Sequence, residues 1–332
     1  MRLLIVLPGA LGDVVRALPL LGRLRRGLPD AHLAWAVEPP SAPVLAGHPW
    51  LDDLLVVRRR DGLGAIVRAL GRIRAQRFDV ALDLGRGAKS ALLAFASRAP
   101  RRIGFARADA REGSWLAATE HLPVQGIERS KLEQCLAFGD LLGVPPVPVA
   151  FGLAPSAAEA AEAAQLLHGL PSPVVAACVG SSCPARRWFP DRTAAALDAL
   201  AVRHGGGAVL LGTAADAAFA AAVARRTRGR LRDLTGRTSL RQLLAVLARV
   251  DLAFGPDSGA LHLAAALARP VVSLWGATSA ARSAPWGSEG RVVQGRTPCA
   301  PCFLSRCPIG RVCMTSVAVE IVVAHAREAL AA

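Results

Sequence analysis

The stretch Leu252–Leu274, LAFGPDSGALHLAAALARPVVSL, holds the pattern by which the rest of the chain is read. An apolar run ends at Phe254, Gly255-Pro256-Asp257-Ser258-Gly259 interrupts it, and helical spacing then runs from Ala260 to Ala268. Pro270 stops the helix and a second apolar run begins at Val271. This is strand, helix, strand, with Ser258 or Asp257 placed to cap the helix. The same alternation recurs along the chain. Further strands are expected at Leu3–Leu7, His32–Val37, Leu54–Val57, Val80–Leu84, Val174–Val179 and Ala208–Leu211, and helices from Val14–Arg26 to a terminal one over Val317–Leu330. Repeated βα units predict an α/β fold with doubly wound parallel sheets.

The chain has 332 residues, of which 52% are hydrophobic. That is too apolar for disorder and long enough for two cores. The segment Val144-Pro145-Pro146-Val147-Pro148 cannot be helical. It sets the expected boundary, with domains over 1–155 and 156–332, two Rossmann-like halves facing across a cleft that binds ligands outside the carboxyl ends of the strands. The uncharged span Leu141–Ala158 carries four prolines and is no membrane-crossing helix. Asp13 and Arg16 break the apolar start, which argues against an export signal and for a cytoplasmic protein.

Forty Lys and Arg stand against 25 Asp and Glu, a formal charge of +15, and only Lys89 and Lys131 are lysines. The excess is spread over both halves, aromatics are 5% and Tyr is absent, which counts against nucleic acid as partner. Anionic small molecules or an anionic leaflet suit dispersed arginine better. The seven cysteines, an odd number without an export signal, indicate a reducing compartment.

Four constellations could carry chemistry. In Pro8-Gly9-Ala10-Leu11-Gly12-Asp13 a strand opens through a turn into a helix, and Asp13 stands where an N-cap belongs. Position alone favours the cap over a general base. The spacing of Gly9 and Gly12 does not fit G-x-G-x-x-G, which weakens an NAD site. Cys178-Val179-Gly180-Ser181-Ser182-Cys183-Pro184-Ala185-Arg186-Arg187-Trp188 is either a phosphate cradle or an ordinary βα turn with solvated arginines. Asp257-Ser258-Gly259, with His262 one turn into the helix, is an anion site suited to a diphosphate. Cys299, Cys302, Cys307 and Cys313 are spaced too widely for a usual zinc ribbon, and local packing is preferred to a metal. No Asp-x-Asp motif is present to hold Mg²⁺.

At these residues the sequence resembles glycosyltransferase family 9, the ADP-heptose:lipopolysaccharide heptosyltransferases, over nearly its whole length. The matching segments are Leu11-Gly12-Asp13 with Leu18-Pro19, Asp83-Leu84 with Ser90, Arg102-Ile103-Gly104-Phe105, Gly180-Ser181-Ser182 with Arg187-Trp188, Leu234-Thr235-Gly236-Arg237-Thr238-Ser239-Leu240, and Gly255-Pro256-Asp257-Ser258-Gly259 with His262. The cysteine pattern ending Cys313-Met314 is most similar to the heptosyltransferase II branch. The resemblance implies a GT-B fold with an acceptor-binding first half and a nucleotide-sugar-binding second half. It implies inverting transfer of heptose from ADP-L-glycero-D-manno-heptose to the lipopolysaccharide inner core, a lipid-linked oligosaccharide, without a tightly bound cofactor or metal.

Asp13 becomes the general base, beside Gly12. Ser181, Ser182 and Arg186 would meet the diphosphate, Asp216 and Thr238 the nucleoside, and Asp257, Ser258, Gly259 and His262 the donor pocket. Arginine stands at 186 where the family usually has lysine, keeping the charge but as a planar fork. Peripheral contact with the cytoplasmic leaflet of the inner membrane is also expected. A nucleotide-sugar 2-epimerase of similar architecture, or a family member using another donor sugar, are the competing readings.

Overall fold

The computed structural model describes residues 1–126 and 128–331. The chain divides into two compact units, Met1–Leu153 and Ala154–Ala332. In the first, strands β1 (Arg2–Val6), β2 (His32–Val37), β3 (Asp53–Val56), β4 (Val80–Asp83), β5 (Arg101–Gly104) and β6 (Glu120–His121) alternate with helices α1 (Leu11–Gly27), α2 (Ala42–Leu45), α3 (Leu63–Ala75), α4 (Ala88–Ala96) and α5 (Lys131–Leu141). The second contains β7 (Val174–Cys178), β8 (Gly207–Leu211), β9 (Leu231–Asp233), β10 (Leu252–Pro256), β11 (Val271–Trp275) and β12 (Val292–Gln294). Its helices are α6 (Ala157–Leu167), α7 (Pro190–His204), α8 (Ala217–Ala224), α9 (Leu240–Leu247), α10 (Gly259–Ala266), α11 (Ala280–Ser283), α12 (Val312–Thr315) and α13 (Val319–Ala331).

The two sheets have the same winding, in the orders β3-β2-β1-β4-β5-β6 and β12-β11-β10-β7-β8-β9, and every pairing is parallel. The winding reverses beside the first strand of each unit, between β1 and β4 and between β7 and β10. At such a point the two crossover connections leave in opposite directions, so the ends of the two strands are uncovered.

Strands buried on both faces need apolar side chains throughout, which Leu3, Leu4, Ile5 and Val6 of β1 supply with no exposed surface. One face of the first sheet packs Leu4, Val6, Ala34 and Ala81 against Ala69 and Ile73 of α3 and Leu93 and Ala94 of α4. In the second unit Val175, Leu210, Phe254 and Leu274 meet Leu197 and Leu200 of α7 and Val322 and Ala326 of α13.

Local chemistry starts and stops the helices. Capping boxes open α5 (Ser130 with Glu133), α6 (Ser156 with Glu159) and α9 (Ser239 with Gln242). Helix α10 ends two residues before the expected Ala268, because Ala268 takes a left-handed conformation with φ 56° and the Arg269 N–H returns to the carbonyl of Ala264. On α1 the buried Arg23 donates to the carbonyls of Leu136, Val144 and Pro145 and pairs with Asp140 at 2.8 Å. The guanidinium thereby fastens α5 and the proline-rich segment to α1. Among the described residues no helix is long and apolar enough to cross a membrane.

Gly255 marks where β10 crowds β7. A Cβ there would stand 2.2 Å from the carbonyl oxygen of Cys178, a backbone atom that cannot yield without disturbing the ladder. Gly255→Ala is therefore expected to lower stability by about 2–3 kcal/mol, read as a shifted urea midpoint at constant slope.

Candidate active site

Each reversal of winding gathers the residues singled out from sequence. In the first unit Asp13 does not cap α1: the helix already begins at Leu11, Ala10 occupies the cap position, and the Asp13 N–H bonds to the Ala10 carbonyl at 2.9 Å. The extended Ala10 starts the helix, so the carboxylate lies in the first turn and is free for other work. Gly12 is buried beside it. The Asp13 side chain, 35% exposed, accepts from Arg16 one turn along α1 and from Lys131 of α5 at 2.9 Å. Burial alone would raise the proton affinity of this carboxyl. The Arg16 and Lys131 cations outweigh that effect and hold it well below the usual carboxylate range.

Asp83, at the end of β4 and in register with Val6 of β1, occupies the other side of the same opening. It is 6% exposed and accepts from the Gly85 N–H at 3.0 Å and from the Ser90 hydroxyl. Burial without a cationic partner pushes its pKa up to about 7, although both hydrogen bonds favour the charged form. The turn is built around this cluster, since a Cβ on Gly85 would lie 2.0 Å from the Ser90 hydroxyl oxygen.

In the second unit Ser181, after β7, donates its hydroxyl to the Asp257 carbonyl at 2.9 Å. The Asp257 carboxylate accepts from Thr278 at 3.0 Å and pairs with Arg186 at 3.0 Å. Ser182 is exposed next to it, its hydroxyl 3.9 Å from the Cys183 sulfur. Ser258 stands at the cap position of α10 without capping it, and its hydroxyl is buried with no hydrogen-bond partner among the described atoms. An orphaned hydroxyl at a helix N-terminus beside an arginine has the makings of an anion receptor. Gly259 opens that helix and His262 is buried in its first turn.

Asp216 and Thr238 stand slightly apart from this group. Asp216, 2% exposed, accepts from the N–H and hydroxyl of Thr213 at 2.9 and 2.7 Å and pairs with Arg187 at 2.7 Å. It lies directly under Gly180, where a Cβ would come within 2.5 Å of its carboxylate. The Asp216 carboxylate thus supports the Gly180-Ser181-Ser182 turn through protein contacts. Thr238 is half-buried on the loop into α9, which is tied to the end of β8 by the Gly236 N–H on the Gly212 carbonyl at 2.9 Å.

The four C-terminal cysteines are free thiols, and Cys313 and Met314 pack into the second core against Gly276. Among the described residues no group of three or more His, Cys, Asp or Glu side chains is placed to hold a metal ion. Sequence reasoning gave no role to Lys131, Arg16 or Asp83. For Asp83 the signal was present in the Asp83-Leu84 and Ser90 segment; Lys131 is 118 residues from its partner and nothing local announces it.

The model of glycosyltransferase family 9 (heptosyltransferase) matches residues 66–312. The chain is 24% identical over 287 residues to the lipopolysaccharide core heptosyltransferase OpsX of Haemophilus influenzae, covering 86% of this chain and 81% of that protein. It is 26% identical to lipopolysaccharide heptosyltransferase 2 of Salmonella typhimurium, with 89% and 88% covered. The solved structure of Escherichia coli ADP-heptose lipopolysaccharide heptosyltransferase II superposes with a TM-score of 0.76 at 22% identity, over 100% of this chain and 99% of that one. The two doubly wound units are therefore those of the GT-B architecture.

The environment of Asp83 has a thermodynamic signature. The folded acid binds its proton more tightly than the unfolded one, so its contribution to stability falls as pH rises from about 4 to about 7 and stays low above that. Asp83→Asn removes this dependence. The stability of the variant relative to the unsubstituted protein is expected to rise by about 2 kcal/mol between about pH 5.5 and about pH 8 in urea unfolding.

Proposed function

The chain belongs to glycosyltransferase family 9, the heptosyltransferases, and from that premise we propose that it transfers heptose from ADP-L-glycero-D-manno-heptose, with inversion, to a hydroxyl of the lipopolysaccharide inner core. The observation that carries the assignment of roles is Asp13: a carboxylate kept ionised by two cations, yet open to solvent over a third of its side chain, at the point where the first sheet reverses its winding. The first unit would take the lipid-linked oligosaccharide and the second the nucleotide sugar. The enzyme would act at the cytoplasmic face of the inner membrane.

In the proposed reaction Asp13 accepts the proton of the acceptor hydroxyl while that oxygen bonds to the anomeric carbon of the heptose. The bond from this carbon to the diphosphate breaks, its electron pair stays on the phosphate oxygen, and ADP departs. Because Arg16 and Lys131 lower the basicity of Asp13, the proton moves late, when bond formation has already made the hydroxyl acidic. The charge developing on ADP is met by Arg186, the hydroxyls of Ser181, Ser182 and Ser258, and the N-terminus of α10 starting at Gly259. His262 and Asp257 line the donor pocket in this reading, and Thr238 approaches the nucleoside. No step requires a tightly bound cofactor.

Asp13→Asn is expected to lower kcat by about a thousandfold or more while ADP affinity stays within about twofold, measured by product formation and calorimetry. Equal loss of ADP binding would make Asp13 a structural residue. The adjacent arginines separate in the same assays. Arg186→Gln should weaken ADP about tenfold besides leaving Asp257 without its ionic partner, whereas Arg187→Gln removes the ionic partner of the buried Asp216 and should cost about 3 kcal/mol of stability without loss of a direct ADP contact.

A further inference from the structure

Helices α3 and α4 lie side by side on one face of the first sheet, and their sheet-facing residues, Ala69, Ile73, Leu93 and Ala94, close the core. The opposite sides of these helices carry the unusual surface. Leu63 and Val67 of α3 are 80% and 67% exposed, and Leu92 and Phe95 of α4 are 48% and 60% exposed. Successive residues turn by about 100° along a helix, so Val67 points away from Ala69, and Phe95 away from Leu93. These four large side chains are on the outside by construction, and among the described residues each keeps about half or more of its surface in solvent.

The charges around them have one sign. The stretches Arg58–Ala75 and Ala88–Arg98 contain eight Lys and Arg and a single acid, Asp61. Arg68, Arg72, Lys89 and Arg98 are exposed and, among the described residues, none of them has an acidic partner. Arg102 lies over the outer ring of Phe95 at 5.7 Å. Arg59, at the start of the first stretch, is neutralised by Glu38. Arg68, Arg72, Lys89 and Arg98, in contrast, have no acidic partner among the described residues and stand beside aliphatic and aromatic side chains. Aliphatic groups that enter the acyl boundary, flanked by cations at headgroup depth, are what an anionic bilayer surface binds. An acidic protein partner would match the charge but not this scattering of single apolar side chains among arginines. A nucleic acid would want more than one stacking ring.

We infer that the outer face of the α3–α4 layer is a docking surface for an anionic lipid bilayer. The inference rests on the proposed function only for its purpose, since an acceptor embedded in a leaflet is reached by an enzyme that lies on that leaflet. Helix α4 follows directly on the Asp83 turn, so the docking face adjoins the strand ends at which the acceptor is proposed to bind.

The test is co-sedimentation with vesicles of phosphatidylcholine containing phosphatidylglycerol, and with vesicles of phosphatidylcholine alone. The protein is expected to sediment with the anionic vesicles only and to be released by high salt. The double variants Leu63→Ser with Phe95→Ser, and Arg68→Glu with Arg72→Glu, are each expected to reduce the bound fraction at least about fivefold with unchanged melting temperature. The Leu63→Ser, Phe95→Ser variant should keep its rate on a water-soluble core oligosaccharide and lose several-fold on the same acceptor presented in anionic vesicles. Failure of the unsubstituted protein to bind anionic vesicles, equal binding to both vesicle types, or unchanged binding by both variants overturns the inference. Absence of transfer to the soluble oligosaccharide would instead overturn the proposed function and leave the vesicle result standing on its own.

Discussion

The arrangement depends on how a central parallel strand is paired. In each unit the first strand takes neighbours on both sides, β1 from β2 and β4, β7 from β8 and β10. Hydrogen bonding on both edges fixes the register of that strand, and right-handed crossovers then send the chain away in opposite directions. The strand ends between those crossovers are the part of each sheet that no connection covers. Everything with chemical promise in this protein grows from one of these two places: Asp13 and Asp83 in one unit, Ser181, Arg186, Asp257 and Ser258 in the other.

Electrostatics gives these places different characters. Asp216 and Asp257 each have an arginine, and Asp13 has two cations, so all three are held in ionic contacts. Asp83 has only a hydroxyl and a backbone N–H, and burial therefore governs its proton. The two carboxyls of the first unit are thus pushed in opposite directions, one fixed as an anion and the other able to exchange a proton near neutrality. The second unit is organised around anion binding, with its carboxylates orienting arginines and its Ser258 hydroxyl unpartnered.

Much of the fold was legible because buried parallel strands must be continuously apolar, as in Leu3–Val6 or Val271–Leu274, and because Pro270 and the proline-rich segment end elements by covalent geometry. The strands that escaped notice, β5, β6, β9 and β12, are two to four residues long, and those such as Arg101–Gly104 and Glu120–His121 are charged enough to read as loop. Of the site, the turns after β7 and β10 were visible as small and polar residues following apolar runs. The position of Asp13 was misjudged by one helical turn, because Ala10 begins the helix without any capping side chain. Lys131 could not be found locally, since its role comes from the packing of two helices far apart in sequence.

That packing has a mechanical meaning. Helix α1 has 17 residues and is therefore about 25 Å long. It is joined to α5 near both ends, by Asp13 with Lys131 at the start and by Arg23 with the Leu136 carbonyl and Asp140 toward the end. Two rods pinned at two points cannot slide or pivot on one another independently. The carboxylate at the tip is consequently located by a stiff strut whose far anchor lies several turns away, and the neighbouring loops are relieved of that task. Loop sequence around the first site can vary to suit different sugars while the reference point from which they are measured stays where it is.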